Sequence, residues 1–187
     1  MSLQIKPGSL LIANPFLPDP NFQRSVVCIA DHSPKGTVGY VVNDKTNLLL
    51  EEVISADSNE LLNINLYKGG PVEEDTLHVV HQLGVLVEGS RRLKEHIYWG
   101  GDFDKLKFLI ANRNVDQRDI RFFIGYSGWG SGQLEEELEE KTWIVLNSYN
   151  SELIFSKDTD TIWENAIAAK GGKYQLLKNS PLSPDWN

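Results

Sequence analysis

What this sequence lacks narrows its possibilities first. It has one cysteine, Cys28, so no internal disulfide can form, and a reducing cytoplasm is the expected setting. No apolar run approaches the roughly 20 residues that a membrane-spanning helix needs. The N-terminus has no basic segment leading into a long apolar core, so no secretory leader is expected. There is no internal repeat and no low-complexity stretch. Basic residues are in the minority, 18 Lys+Arg against 26 Asp+Glu, for a formal net charge of -8. Nucleic-acid binders draw much of their affinity from neutralised phosphates, so this balance argues against direct nucleic-acid contact. With no cysteine cluster, a metal centre would fall to the histidines. His78 and His81 are three apart, a spacing that shares a face only on a helix, and their segment reads as a strand. No metal and no cofactor are expected.

What is present suits one domain over residues 1–187, with 1–7 and 173–187 peripheral. A chain of this length can bury roughly 70% of its unfolded surface without staples. Short apolar runs bounded by turn residues predict strands over 8–13, 25–30 and 37–42, and the short connections between them suggest antiparallel or mixed pairing. Thr46 or Asn47 can cap a short helix reaching about Ile54, followed by a polar loop over 56–63. Further strands are expected over 64–68, 76–82, 97–99, 143–146 and 153–155. Asp102 is a good cap for a helix carrying Phe103, Leu106, Leu109 and Ile110. Ile162, Trp163, Ala166 and Ile167 share one face of a second helix that stops at Gly171-Gly172.

The densest pattern is residues 121–138. It begins as an aromatic, β-branched strand over 121–126. Gly125, Gly128, Gly130 and Gly132 then predict a break, and an acidic helix follows from Gly132 or Gln133 with Leu134 and Leu138 on one face. A strand, a tight turn and a helix start would lift Ser127, Trp129 and Ser131 to the lip of a sheet, where chemistry often sits.

Several chemistries compete at that lip. Gly125-Tyr-Ser-Gly-Trp129 resembles a nucleophile elbow, with Ser127 as nucleophile and His32 as base. Its fifth position is Trp rather than Gly, and all four histidines precede Ser127 in the chain. The plainer reading is that Ser127 bonds turn backbone. A glycine nest before a helix favours phosphate, but Glu135, Glu136 and Glu137 fill the first turn and would repel it. Arg91, Arg92 and Lys94, with Arg113, Arg118 and Arg121 near, could form a basic patch, though such runs are usually solvated surface. The acidic helix offers a docking face for a basic partner, or is simply solvated with Glu137 and Lys141 as an (i, i+4) pair. Five tryptophans, at 99, 129, 143, 163 and 186, are expected to be mostly core.

Read together and in order, several pieces resemble the AlgH/YqgE family of bacterial proteins. They are Gly8-Ser-Leu-Leu-Ile-Ala-Asn-Pro15, Asp19-Pro-Asn-Phe22, Arg24-Ser-Val-Val27, His32, Gly39-Tyr-Val-Val-Asn43, Gly69-Gly-Pro-Val72, Gly125-Tyr-Ser-Gly-Trp129 and Gly132-Gln-Leu-Glu135. The chain departs from the pattern at Asp44-Lys45, where many relatives carry Asn, then Arg or Lys, then Pro. The resemblance implies an α+β fold: a mixed, largely antiparallel sheet flanked by helices in a three-layer α/β/α core, with a small α/β lobe. It implies no established reaction, and some members carry the label of transcriptional regulator. The expected function is therefore binding or regulation in the cytoplasm, with a protein or small-molecule partner. The expected ligand site is a cleft where Asn43, Gly69, Gly70, Ser127, Trp129 and Gln133 converge. Asn43 and Gln133 would supply polar contacts and Trp129 a wall. The alternative is a serine-type hydrolase using Ser127 and His32.

Overall fold

A computed structural model describes residues 4–54, 64–112, 115–116 and 118–180. Strand β1 (Leu10–Ala13) is buried at all four positions because both faces of the sheet are covered there. Its side chains alternate. Leu10 and Ile12 join Ile162, Trp163, Ala166 and Ile167 of one helix, while Leu11 and Ala13 join Leu134 of another. Strands β2 (Val26–Ser33) and β3 (Gly36–Val41) divide their residues the same way, with Cys28 and Tyr40 on the first face and Val27, Ile29 and Val41 on the second. Each fully buried aliphatic side chain in these layers contributes about 1.5–3 kcal/mol of transfer free energy.

The remaining strands are β4 (Lys45–Leu49), β5 (Asn65–Lys68), β6 (Val72–His81), β7 (Arg91–Lys94), β8 (Ile97–Trp99), β9 (Ile120–Gly130) and β10 (Trp143–Leu146). They run in the order β10-β1-β2-β3-β9-β6-β8-β7, with β5 beside β9 and β4 beside β5. The β5–β9 pair is parallel and the other pairs are antiparallel, so the sheet is mixed and largely antiparallel, as the resemblance implied. After a single helical turn, α1 (Leu50–Val53), come α2 (Phe103–Ala111), α3 (Gln133–Glu139) and α4 (Ile162–Lys170). Helix α2 starts where Asp102 accepts a hydrogen bond from the Lys105 amide at 3.0 Å. It covers a third core of Leu66, Val79, Ile120 and Phe122 with Leu106 and Leu109.

Strand β9 joins these regions. On one edge its first half pairs with β5 and its second half with β3; on the other edge it pairs with β6. The expected break over 125–130 is therefore wrong. Gly128 and Gly130 stay in the ladder opposite Val38 and Gly36, because β3 supplies hydrogen-bond partners there. Only Gly125 (φ 64°) and Gly132 (φ 78°) use the left-handed region. Gly125 marks a slip in the β6 register, and Gly132 starts α3.

Two smaller expectations also fail. Residues 45–49 form a strand rather than a helix start, since Tyr67 and Asn65 of β5 pair with Lys45 and Leu49; only 50–53 are helical. Residues 153–155 are not a strand. A 3-10 turn, Ser151–Leu153, is capped by Asn150, and Ile154 and Phe155 follow it into the core. The whole of the predicted 56–63 loop, with Arg113 and Trp186, lies outside the described residues.

Candidate functional site

The glycine-rich stretch proves to be a sealed junction. Gly69 lies where β3, β5 and β9 meet. Its amide donates to Ile124 O and its carbonyl accepts from the Val41 amide, both at 2.9 Å. A Cβ on Gly69 would fall 2.3 Å from Gly125 O, and one on Gly70 would fall 2.3 Å from the Tyr126 carbonyl. These glycines let three backbones touch. Ser127 is fully buried, and its Oγ donates to Gly69 O at 2.9 Å. His32 has partners of its own: Nδ1 meets Thr37 Oγ1 at 2.7 Å, and Nε2 faces Glu135 at 3.8 Å. Among the described residues no hydrogen bond joins His32 to Ser127, and nothing supports the hydrolase alternative: Ser127 is fully buried and its hydroxyl is taken up by the Gly69 carbonyl.

Trp129 is buried too, and its neighbourhood explains much of the acidic helix. The carboxylate of Glu137 accepts from both Trp129 Nε1 (2.9 Å) and Trp143 Nε1 (2.7 Å), and its other oxygen accepts from Gln133 Nε2 (2.9 Å). Gln133 Oε1 in turn takes the Gly130 amide. The expected Glu137–Lys141 pair does not form, because two indoles claim that carboxylate.

The expected cleft is thus not assembled as a unit. The structure brings Gly69, Gly70 and Ser127 together, but as packed backbone. Trp129 sits opposite Thr37, near the start of β3, and Gln133 lies just beyond it. Asn43 lies past the other end of β3, six residues from Thr37, which is about 20 Å along a strand. Its Oδ1 accepts from the Val26 amide and its Nδ2 donates to Arg24 O.

Asn43 does, however, face open space. It lines a cavity of about 370 Å³ with Arg24, Thr159, Asp160, Trp163 and Glu164. Arg24 has an unusual positive φ of 51° and lies over the Trp163 ring, 4.8 Å from its centre. Two further hollows share Phe155 and Lys157. One, of about 600 Å³, is walled by Gln82, Asp116, Arg118, Asp119, Glu152 and Ser156. The other, of about 80 Å³, has Lys45, Asn65, Tyr67, Arg121 and Lys157 around it. The connection from β10 to α4 lines all three; the last two adjoin at Phe155 and Lys157 and form one crevice, beside which the Asn43 cavity stands apart.

Arg121 is the most constrained group in this crevice. It is 3% exposed, and its guanidinium donates to the carbonyls of Val42 and Ser156 and lies 4.1 Å from the Tyr67 ring centre. Burial pulls its pKa down to about 10, with the Tyr67 hydroxyl acting in the opposite direction. Arg121 alternates with Ile120, Phe122 and Ile124 in an otherwise apolar strand. A cation inside such a run was the sequence signal for it. Lys45 and Lys157 come from distant segments and carried no such signal.

The proposed basic patch is dispersed. Arg91 pairs with Asp31 at 2.7 Å, Arg118 with Asp116 at 3.0 Å, and Lys94 lies over the Tyr149 ring. His78 and His81 diverge as a strand requires. His78 contacts Thr76, and the buried His81 reaches Gly100 O at 3.0 Å. Among the described residues no cluster of three metal-ligating side chains occurs, and no helix is long and apolar enough to cross a membrane.

Comparison with known proteins places this architecture. The AlgH-like family model matches residues 10–175. A UPF0301 protein of Cytophaga hutchinsonii is 39% identical over 181 residues, covering 96% of this chain and 98% of the relative. One from Chlorobium limicola is 36% identical over 184 residues, covering 98% and 97%. Among solved structures, the AlgH protein of Pseudomonas aeruginosa superposes with a TM-score of 0.72 at 28% identity, covering 95% of this chain and 97% of that one. A Corynebacterium diphtheriae protein gives a TM-score of 0.76 at 24% identity, a likeness of fold.

Proposed function

This chain belongs to the AlgH-like family, and we propose that it serves there as a binding protein for a small polar molecule rather than as an enzyme. The observation that carries the reading is the crevice around Arg121. It is a concave region where Arg121 and the Phe155–Lys157 part of the β10–α4 connection meet, and its walls are mostly polar. Of the residues expected to bind, Asn43 lines a neighbouring cavity; Gly69, Gly70, Ser127, Trp129 and Gln133 hold the scaffold. A cytoplasmic location is part of the proposal, and a lone buried thiol suits it. Regulation would follow if occupancy shifted the connection that lines the crevice, since a ligand moves an equilibrium only through differential contact with two states.

The thiol supplies the test. Cys28 is fully buried with its pKa pushed up to about 12, so it is inert to alkylation. A Glu152→Cys variant then carries one reactive thiol on the crevice wall. Metabolites that raise the melting temperature of the protein should slow alkylation of that thiol. If stabilising metabolites leave the alkylation rate unchanged, the ligand binds elsewhere and the reading fails.

A further inference from the structure

We infer that the 80 Å³ end of the crevice is a receptor for one oxoanion group, a phosphate or carboxylate of a small molecule, held by Arg121 with Lys45 and Lys157. This rests on the binding reading above and names the chemistry of the ligand. A buried cation is costly unless a counter-charge or full hydrogen bonding compensates it. Arg121 has carbonyl and aromatic partners but no ion pair, and neither Lys45 nor Lys157 forms one among the described residues. No carboxylate lines this part of the crevice. Three cations therefore converge on one small cavity whose own walls carry no carboxylate; the anion that acts on them from outside is Asp116, which feels Lys157 from the adjoining hollow.

The geometry fits the chemistry. A guanidinium has five N–H donors, and the bonds to Val42, Ser156 and the Tyr67 hydroxyl account for three. Tyr67 and those carbonyls fix its plane in advance, so little freedom is lost when an anion arrives. The volume is several times what one water occupies, enough for one oxoanion group and too small for a whole metabolite. The remainder of a ligand would extend past Lys157 into the adjoining 600 Å³ hollow. The net charge of -8 makes this local convergence specific, because the overall field repels anions rather than collecting them.

The test uses the full chain and two probes, inorganic phosphate and succinate, each against chloride at matched ionic strength. A rise in melting temperature with phosphate assigns a phosphoryl group. A rise with succinate alone assigns a carboxylate. In a Lys45→Gln/Lys157→Gln variant the affinity for the active probe should fall about tenfold or more, since both removed charges face the anion. Both lysines are exposed, so the variant should fold. Lys35→Gln/Arg92→Gln makes the same change in net charge at exposed sites elsewhere and should keep the full response. No response to either probe, or an equal response in both double variants, overturns the oxoanion assignment. The binding reading would survive that result if uncharged metabolites still protected the Glu152→Cys thiol.

Discussion

The glycine junction at Gly69, Gly70, Gly125 and Ser127 and the Arg121 crevice lie along the same strand, yet they are opposites. The junction is dense in sequence pattern and closed to solvent. The crevice is poor in pattern and open. Glycines and a buried serine are required at the junction because three backbones approach within contact there. That is a demand of packing, and a nucleophile elbow makes a similar demand on the local sequence. The crevice is assembled from residues 45, 67, 121 and 157, whose spacing in the chain carries no periodicity. A recurring local motif thus reports on backbone geometry more directly than on chemistry.

Substitution at the junction should have the largest effect. Gly69→Ala and Gly70→Ala each drive a methyl into backbone atoms that cannot yield, and each should cost more than about 3 kcal/mol in denaturant unfolding. A cost under 1 kcal/mol would show that the three strands are not in contact as described. Next is Glu137→Ala, which leaves two buried indole N–H groups without their acceptor and should cost about 2–4 kcal/mol. Glu137→Gln retains an acceptor and should recover part of that loss. Ser127→Ala should cost only about 1 kcal/mol, because Gly69 O keeps the Val41 amide as a partner. It should leave ligand response unchanged; a lost response would move the site back to the junction.

A smaller effect is expected with pH. Burial lowers the pKa of both His78 and His81 below the ordinary value of 6.5. The unfolded chain therefore takes up protons first as the pH falls. Stability from the neutral imidazoles is fully present above about pH 6.5 and is lost on acidification from there down through the folded-state values. Thermal unfolding between pH 7.5 and 5 should show that fall, and His81→Gln should flatten it.

Much of the fold was legible in the sequence, and particular residues show why. The run over 8–13 announced β1 because both its faces are apolar, and Asp102 announced α2 because a cap is a local interaction. What failed was governed by distant partners. Residues 45–49 became a strand only because β5 lies beside them, and 127–130 stayed extended only because β3 pairs with them. The expected cleft did not come together as one unit for the same reason. Ser127 looked exposed from its glycine neighbours, whereas its burial is set by Gly69, 58 residues away in the chain. Asn43 lines a cavity with Arg24, Thr159 and Trp163 instead, company that no local spacing predicted.

The central claim is that ligand binding belongs to the crevice and not to the glycine stretch. Amide shift mapping by NMR during titration with whichever of phosphate or succinate raises the melting temperature tests it most directly. The account predicts shifts concentrated at Lys45, Arg121 and Lys157, with Ser127 and Trp129 unmoved. Shifts confined to residues 127–133, with Arg121 silent, would contradict it.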